Sequence, residues 1–112
     1  MTGAAPEPFS LHVTEHDGRT VIAAQGELDL ATAPQLEEAV LTPLLHGRHA
    51  VIDLRALEFM DSSGVRVIVA AHHAAHEHGG RFSLVRMDPG SPIQRVLEIS
   101  GLDSVLDVVD AP

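Results

Sequence analysis

Residues 9–15, FSLHVTE, alternate apolar and polar side chains, the period-two signature of a strand with one buried face. After HDGR, the segment TVIAAQGELDL continues in the same β-branched vein, and Asp17-Gly18 between the two runs is a hairpin turn signal. The period then lengthens. In ATAPQLEEAV, Thr32 is placed to cap a helix, Pro34 suits its first turn, and Gln35 completes a capping box. Leu36, Ala39, Val40 and Leu44 fall on one helical face, and Gly47 supplies the stop. Pro43 is expected to kink this helix or end it early, because it has no N–H to give.

The run AVIDL, residues 50–54, reads as a strand buried on both faces. Apolar Val65, Ile68, Val69 and Ala75 then return at helical spacing, with alanines between them and Gly79-Gly80 at the end. RFSLVRM is another strand. Ser91-Pro92 repeats the cap-plus-proline start, Ile93, Val96 and Leu97 make the buried stripe, and Gly101-Leu102 has the form of a Schellman stop. VLDVV is a candidate for closing the sheet. The order β-β-α-β-α-β-α-(β) predicts an α/β fold, a small mixed and mostly parallel β-sheet with helices packed on it. Residues 9–110 form that single domain, and residues 1–8 are expected to be a short flexible leader.

Composition narrows the chemistry. The 112 residues leave room for one core, and with 45% apolar residues there is enough to build it. There is no cysteine, hence no disulfide, thiolate metal site or thiol nucleophile, which suits a reducing compartment and makes the cytoplasm the expected location. No apolar run is long enough to span a bilayer. The formal charge is −9, lysine is absent, and the seven arginines are scattered, so neutralising nucleic-acid phosphates is not a role for this chain. A basic protein partner is compatible with that charge.

Between the AVIDL strand and the alanine-rich helix lies Asp61-Ser62-Ser63-Gly64. Loops that leave strand C-termini and enter helices are the usual functional edge of alternating α/β folds. Asp61 or Ser62 can cap the helix, Ser63 then lies in its first turn, and Gly64 removes a side chain so that another molecule can come close. Three readings stand side by side. The first is a plain helix start. The second is nucleophilic catalysis, but the G-x-S-x-G elbow is missing and no histidine is marked as the base. The third is phosphorylation: a phosphate at a helix N-terminus gains about 0.3–1 kcal/mol from the dipole, while its added charge of about −1.5 to −2 meets Asp61 and, where the two turns come together, Asp29. A partner docked on a neutral hydroxyl would be expelled by such a dianion.

The blocks GELDLATAPQLEEAV, VIDLRALEFMDSSGVRVIVAA and VLEISGLDSVLDV, in that order and spacing, resemble the STAS domain of bacterial anti-sigma-factor antagonists over nearly the whole chain from Phe9 to Val109. The resemblance implies a small sheet covered on one side by helices. It implies a regulatory binding protein and no enzyme, with no cofactor and no metal. The second serine of the motif, here Ser63, would be phosphorylated by a cognate anti-sigma factor that is itself a serine kinase. The unmodified form would bind that anti-sigma factor and free its sigma factor, and a PP2C-type phosphatase would reset the switch. Asp61 would shape the loop, Asp29 would lie beside it on the same surface, and Ser62 would be structural. An alternative is a STAS scaffold in a stressosome-like or transporter-associated complex without this switch.

Arg66 stands where the family has a small or apolar residue. Three positions beyond Ser63 on the same helical face, it is expected to pair with Asp61 before modification and with phosphoserine afterwards, unless it is an ordinary solvent-facing arginine. His72 and His76, four apart, make an incomplete metal set and read as a solvated helix end.

Overall fold

The computed structural model describes residues 9–112, so the leader expected at residues 1–8 lies outside the described residues. Strands β1 (Phe9–His16) and β2 (Arg19–Leu28) form a hairpin. Asp17 and Gly18 both take positive φ, 50° and 80°, as a two-residue turn that matches strand twist requires. There follow α1 (Ala33–Leu45), β3 (His49–Met60), α2 (Ser62–His78), β4 (Arg81–Val85), α3 (Pro92–Ile99), a 3₁₀ turn at Leu102–Ser104, and β5 (Asp107–Val109). Spatial order equals chain order, β1-β2-β3-β4-β5, with β1 antiparallel to β2 and the remaining pairs parallel.

Each crossover therefore steps to the next strand in one direction, and right-handed connections place all three helices on one face. The core between them joins Ile22, Ile52 and Leu84 of the sheet to Leu36, Val40 and Leu44 of α1, to Ile68 and Ala71 of α2, and to Leu97 of α3. Burying each large aliphatic side chain contributes roughly 1.5–3 kcal/mol. On the opposite face Val21, Val51 and Val85 form a small second cluster, so β3 is indeed buried on both sides at Val51. No helix among the described residues is long and apolar enough to cross a membrane.

Several local expectations need correction. Helix α1 continues two residues past Pro43, whose buried ring lies in the last turn, where only one intrahelical hydrogen bond is forfeited. The buried stripe of α2 is Gly64, Val67, Ile68, Ala71, Ala74 and Ala75, whereas Val65 and Val69 are half-buried; the helix is rotated by close contact at Gly64. Strand β3 runs twelve residues instead of five, because Arg55–Met60 keeps pairing with β2 across two register shifts near Gly26. Those irregularities make Leu54, Leu57 and Met60 the buried positions, a spacing that conceals a strand from period-two reading. Strand β4 ends at Val85, short of the expected Met87.

Candidate functional site at the serine turn

Leu28 and Met60 pair at the C-terminal ends of β2 and β3, and the Asp61 N–H donates to the Leu28 carbonyl at 3.2 Å. The chain then turns directly into α2. Asp61 is the N-cap: its Oδ1 accepts from the Ser63 N–H at 2.8 Å, and its backbone oxygen accepts from Gly64 at 3.1 Å. Ser62, the other capping candidate, is the first helical residue and is exposed. Ser63 is half-buried, and its hydroxyl has no hydrogen-bond partner among the described residues.

Gly64 has a different reason from the one its place in the motif suggested. It is buried, and a Cβ there would stand 2.5 Å from Met60 Cγ and 2.8 Å from Leu28 Cδ2. The absent side chain admits the core of the protein itself, not an incoming molecule.

Asp29 organises the neighbouring turn. Its Oδ1 accepts from the N–H groups of Ala31 at 3.0 Å and Thr32 at 3.1 Å. Thr32 has helical dihedrals, φ −102° and ψ −22°, so its hydroxyl points back, accepting from the Asp29 N–H and donating to the Glu27 carbonyl, both at 2.9 Å. The expected Thr32–Gln35 capping box is thus replaced by an Asp29–Thr32 loop closure. Since Leu28 adjoins Asp61 through the strand pairing, this closed loop and the serine turn occupy the same end of the sheet.

Between them lies a depression of about 150 Å³. Leu30, Ala33 and Pro34 line one side, Ser63, Arg66 and Val67 the other, with Glu37 also on its wall. Leu30, 77% exposed, adds apolar surface beside the half-buried Ser63. Arg66 shares this depression but makes no ion pair with Asp61 among the described residues; the Asp61 carboxylate caps the helix through Oδ1 instead. Leu30, Pro34 and Glu37 escaped sequence reading: only the folding of α1 against α2 carries them to Ser63.

The histidines of α2 stay in solvent, His72 and His76 included. The one serine–histidine contact lies elsewhere among the described residues. On the helix-free face His49 Nε2 is 2.8 Å from Ser83 Oγ, Ser83 donates to Asp107 Oδ2 at 2.5 Å, and Arg81 Nε donates to the same oxygen at 2.8 Å. Burial, then the charges of Arg81 and Arg19, push His49 below its ordinary pKa; hydrogen bonds from Arg81 and Ser83 hold Asp107 below the carboxylate range. Ser83 is fully buried, so this relay ties β3, β4 and β5 together and offers no nucleophile.

A family model described as "Mlab, STAS domain" matches residues 11–109. The chain belongs to the STAS domain family. Among curated relatives, this STAS domain is 35% identical over 101 residues to the anti-sigma-F factor antagonist RsfB of Mycobacterium tuberculosis, covering 89% of this chain and 80% of that protein. It is 31% identical over 106 residues to the anti-sigma F factor antagonist of Paenibacillus polymyxa, covering 91% and 87%. The crystal structure of an anti-sigma factor antagonist from Mycobacterium paratuberculosis matches with a TM-score of 0.79 at 31% identity, over 96% of this chain and 91% of that one. The STAS domain therefore sits among proteins named as anti-sigma-factor antagonists, which are regulatory binding proteins.

Proposed function

We propose that this STAS domain is an anti-sigma-factor antagonist whose binding is switched by phosphorylation at Ser63. The reading is carried by one observation: Ser63 presents a hydroxyl without a hydrogen-bond partner among the described residues at the N-terminus of α2, inside a shallow depression beside the exposed Leu30. An anti-sigma factor with serine kinase activity would seat an apolar side chain against Leu30 and Pro34, bringing its nucleotide to Ser63. The surrounding backbone needs no rearrangement, since Asp61 already holds the first turn. Phosphate on Ser63 would fill the depression and place a dianion opposite any partner surface shaped for a hydroxyl, with Glu37 adding to the negative charge. A PP2C-type phosphatase would restore binding. Asp29 and Ser62 act in this scheme through the shape of the two turns.

The test is incubation with candidate anti-sigma kinases and ATP, phosphosite mapping, and binding assays. Ser63→Ala should bind the anti-sigma factor and resist modification, whereas Ser63→Glu should bind at least about tenfold more weakly. Modification by a productive kinase at neither Ser62 nor Ser63 would overturn the switch.

A further inference from the structure

Helix α1 has a second flank. Opposite the Ser63 side, it and the outer half of the β1–β2 hairpin enclose a groove of about 500 Å³, far larger than the depression at the serine turn. Val13, Ala39 and Pro43 give it apolar surface, and Val13 is 50% exposed. Glu15 belongs to the hairpin wall and Glu38 to the helix wall. Neither forms an ion pair among the described residues. Thr20 donates to Glu15 Oε2 at 2.8 Å, which fixes that carboxylate and leaves its other oxygen unengaged. His46 also lines the groove; its Nδ1 is bonded to the Thr42 carbonyl at 2.9 Å, so in the neutral ring Nε2 remains an acceptor.

We propose that this groove binds an arginine side chain presented by a partner protein, at a site separate from Ser63. An apolar surface flanked by carboxylates on both walls matches a side chain with an aliphatic stem and a planar fork of five donors. A wholly apolar occupant would desolvate Glu38 and the second oxygen of Glu15 without offering either a donor, and an anionic one, though met by Arg48, would face both carboxylates. The groove is open to solvent and does not enclose a ligand, which suits a side chain projecting from a partner's surface. Arg48 lines the same groove, carries no ion-pair partner among the described residues, and opposes a second positive charge. It therefore limits affinity. Placed on the far side of α1 from Pro34 and Glu37, the groove can be occupied while Ser63 is engaged.

N-acetyl-arginine amide, its uncharged isostere N-acetyl-citrulline amide, and spermidine serve as probes, followed by amide chemical shifts of the labelled full chain. The arginine probe should give saturable shifts at Thr20, Ala39, Thr42 and His46, and citrulline should not. Glu15→Gln and Glu38→Gln should each weaken binding by roughly five- to tenfold, and Arg48→Ala should tighten it by about two- to threefold. Glutamine at position 15 keeps an acceptor for Thr20, and unchanged spectra elsewhere establish that each variant is folded. Equal binding of citrulline, indifference to both glutamate substitutions, or unsaturable shifts spread over the acidic surface would overturn the proposal. Tighter binding of spermidine at the same residues would also overturn it, by making the site one for a free polyamine. Phosphorylation of Ser63 in Glu38→Gln should proceed as in the parent, so the fate of this groove is read independently of the switch.

Discussion

At the residue scale, Gly64 and Arg66 separate the two demands on the serine turn. Alanine is a better helix former than glycine by about 1 kcal/mol, and by less near a helix start. At position 64 its Cβ would meet Met60 Cγ at 2.5 Å and the fully buried Leu28 at 2.8 Å, and overpacking of this kind costs about 1–3 kcal/mol. The steric cost wins, so Gly64→Ala should lower unfolding stability by on the order of 1–2 kcal/mol in urea titration. A more stable variant would show that α2 docks more loosely than described. Arg66 acts instead on the modified state. Exposed, and without a carboxylate partner among the described residues, it is one helical turn from Ser63. In the phosphoprotein it should lower the second pKa of phosphoserine, an effect that ³¹P titration reads directly. Arg66→Ala should raise that pKa; identical titration curves would make Arg66 a bystander. Asp61, Ser62 and Ser63 were legible as a helix start because capping chemistry is local, whereas Asp29 came to the same surface only through the family resemblance. Leu30 and Glu37 were not, because nothing in their neighbours along the chain places them across from α2.

At the element scale, β5 is the weakest member of the sheet: three residues, paired with β4 through Ser83↔Asp107, Leu84↔Val108 and Val85↔Val109. Two interactions converge on Asp107, and they differ in weight. The Arg81 guanidinium is in solvent and its pair is screened, whereas the buried Ser83 hydroxyl, left with His49 as its partner, would forfeit a hydrogen bond to a charged acceptor worth about 1.5–3 kcal/mol. Asp107→Asn, which keeps an acceptor, should therefore leave β5 nearly as well docked as in the parent. Asp107→Ala should accelerate hydrogen exchange at Val108 and Val109 by more than tenfold while leaving the protection of α1 and α2 alone. Equal exchange in the two variants would shift the weight to the ion pair. The elements themselves were readable because hairpin turn, caps and periodic stripes agreed. Strand β3 was half-read because its bulged pairing with β2 replaces alternation by the spacing Leu54, Leu57, Met60. The α2 stripe was misassigned because a glycine, which carries no hydrophobic signal, makes its closest contact.

For the whole molecule, the helix-free face sets how stability responds to acid. His49 lies beside Arg19 and Arg81 in the cross-strand register, and burial followed by those two charges holds its pKa below 6.5, with Asp107 opposing. In the unfolded chain these influences vanish. As pH falls below 6.5 the unfolded state takes up a proton that the folded state resists, so stability is complete above that value and declines until the lowered folded pKa is passed. Asp53, hydrogen-bonded by Arg55, and Asp107, hydrogen-bonded by Arg81 and Ser83, have depressed pKa values; their contribution is present above 3.8 and is lost as pH drops through the depressed values. Two separate declines should therefore appear when urea unfolding is followed from neutral to acid pH. His49→Gln keeps a donor for Ser83 and removes the titrating ring, so it should flatten the upper decline and preserve the lower one. An upper decline of unchanged size in His49→Gln would place its origin outside the β3–β4–β5 relay. A parent protein with no upper decline at all would mean that the two arginines do not press on His49 in solution as the register of the sheet requires.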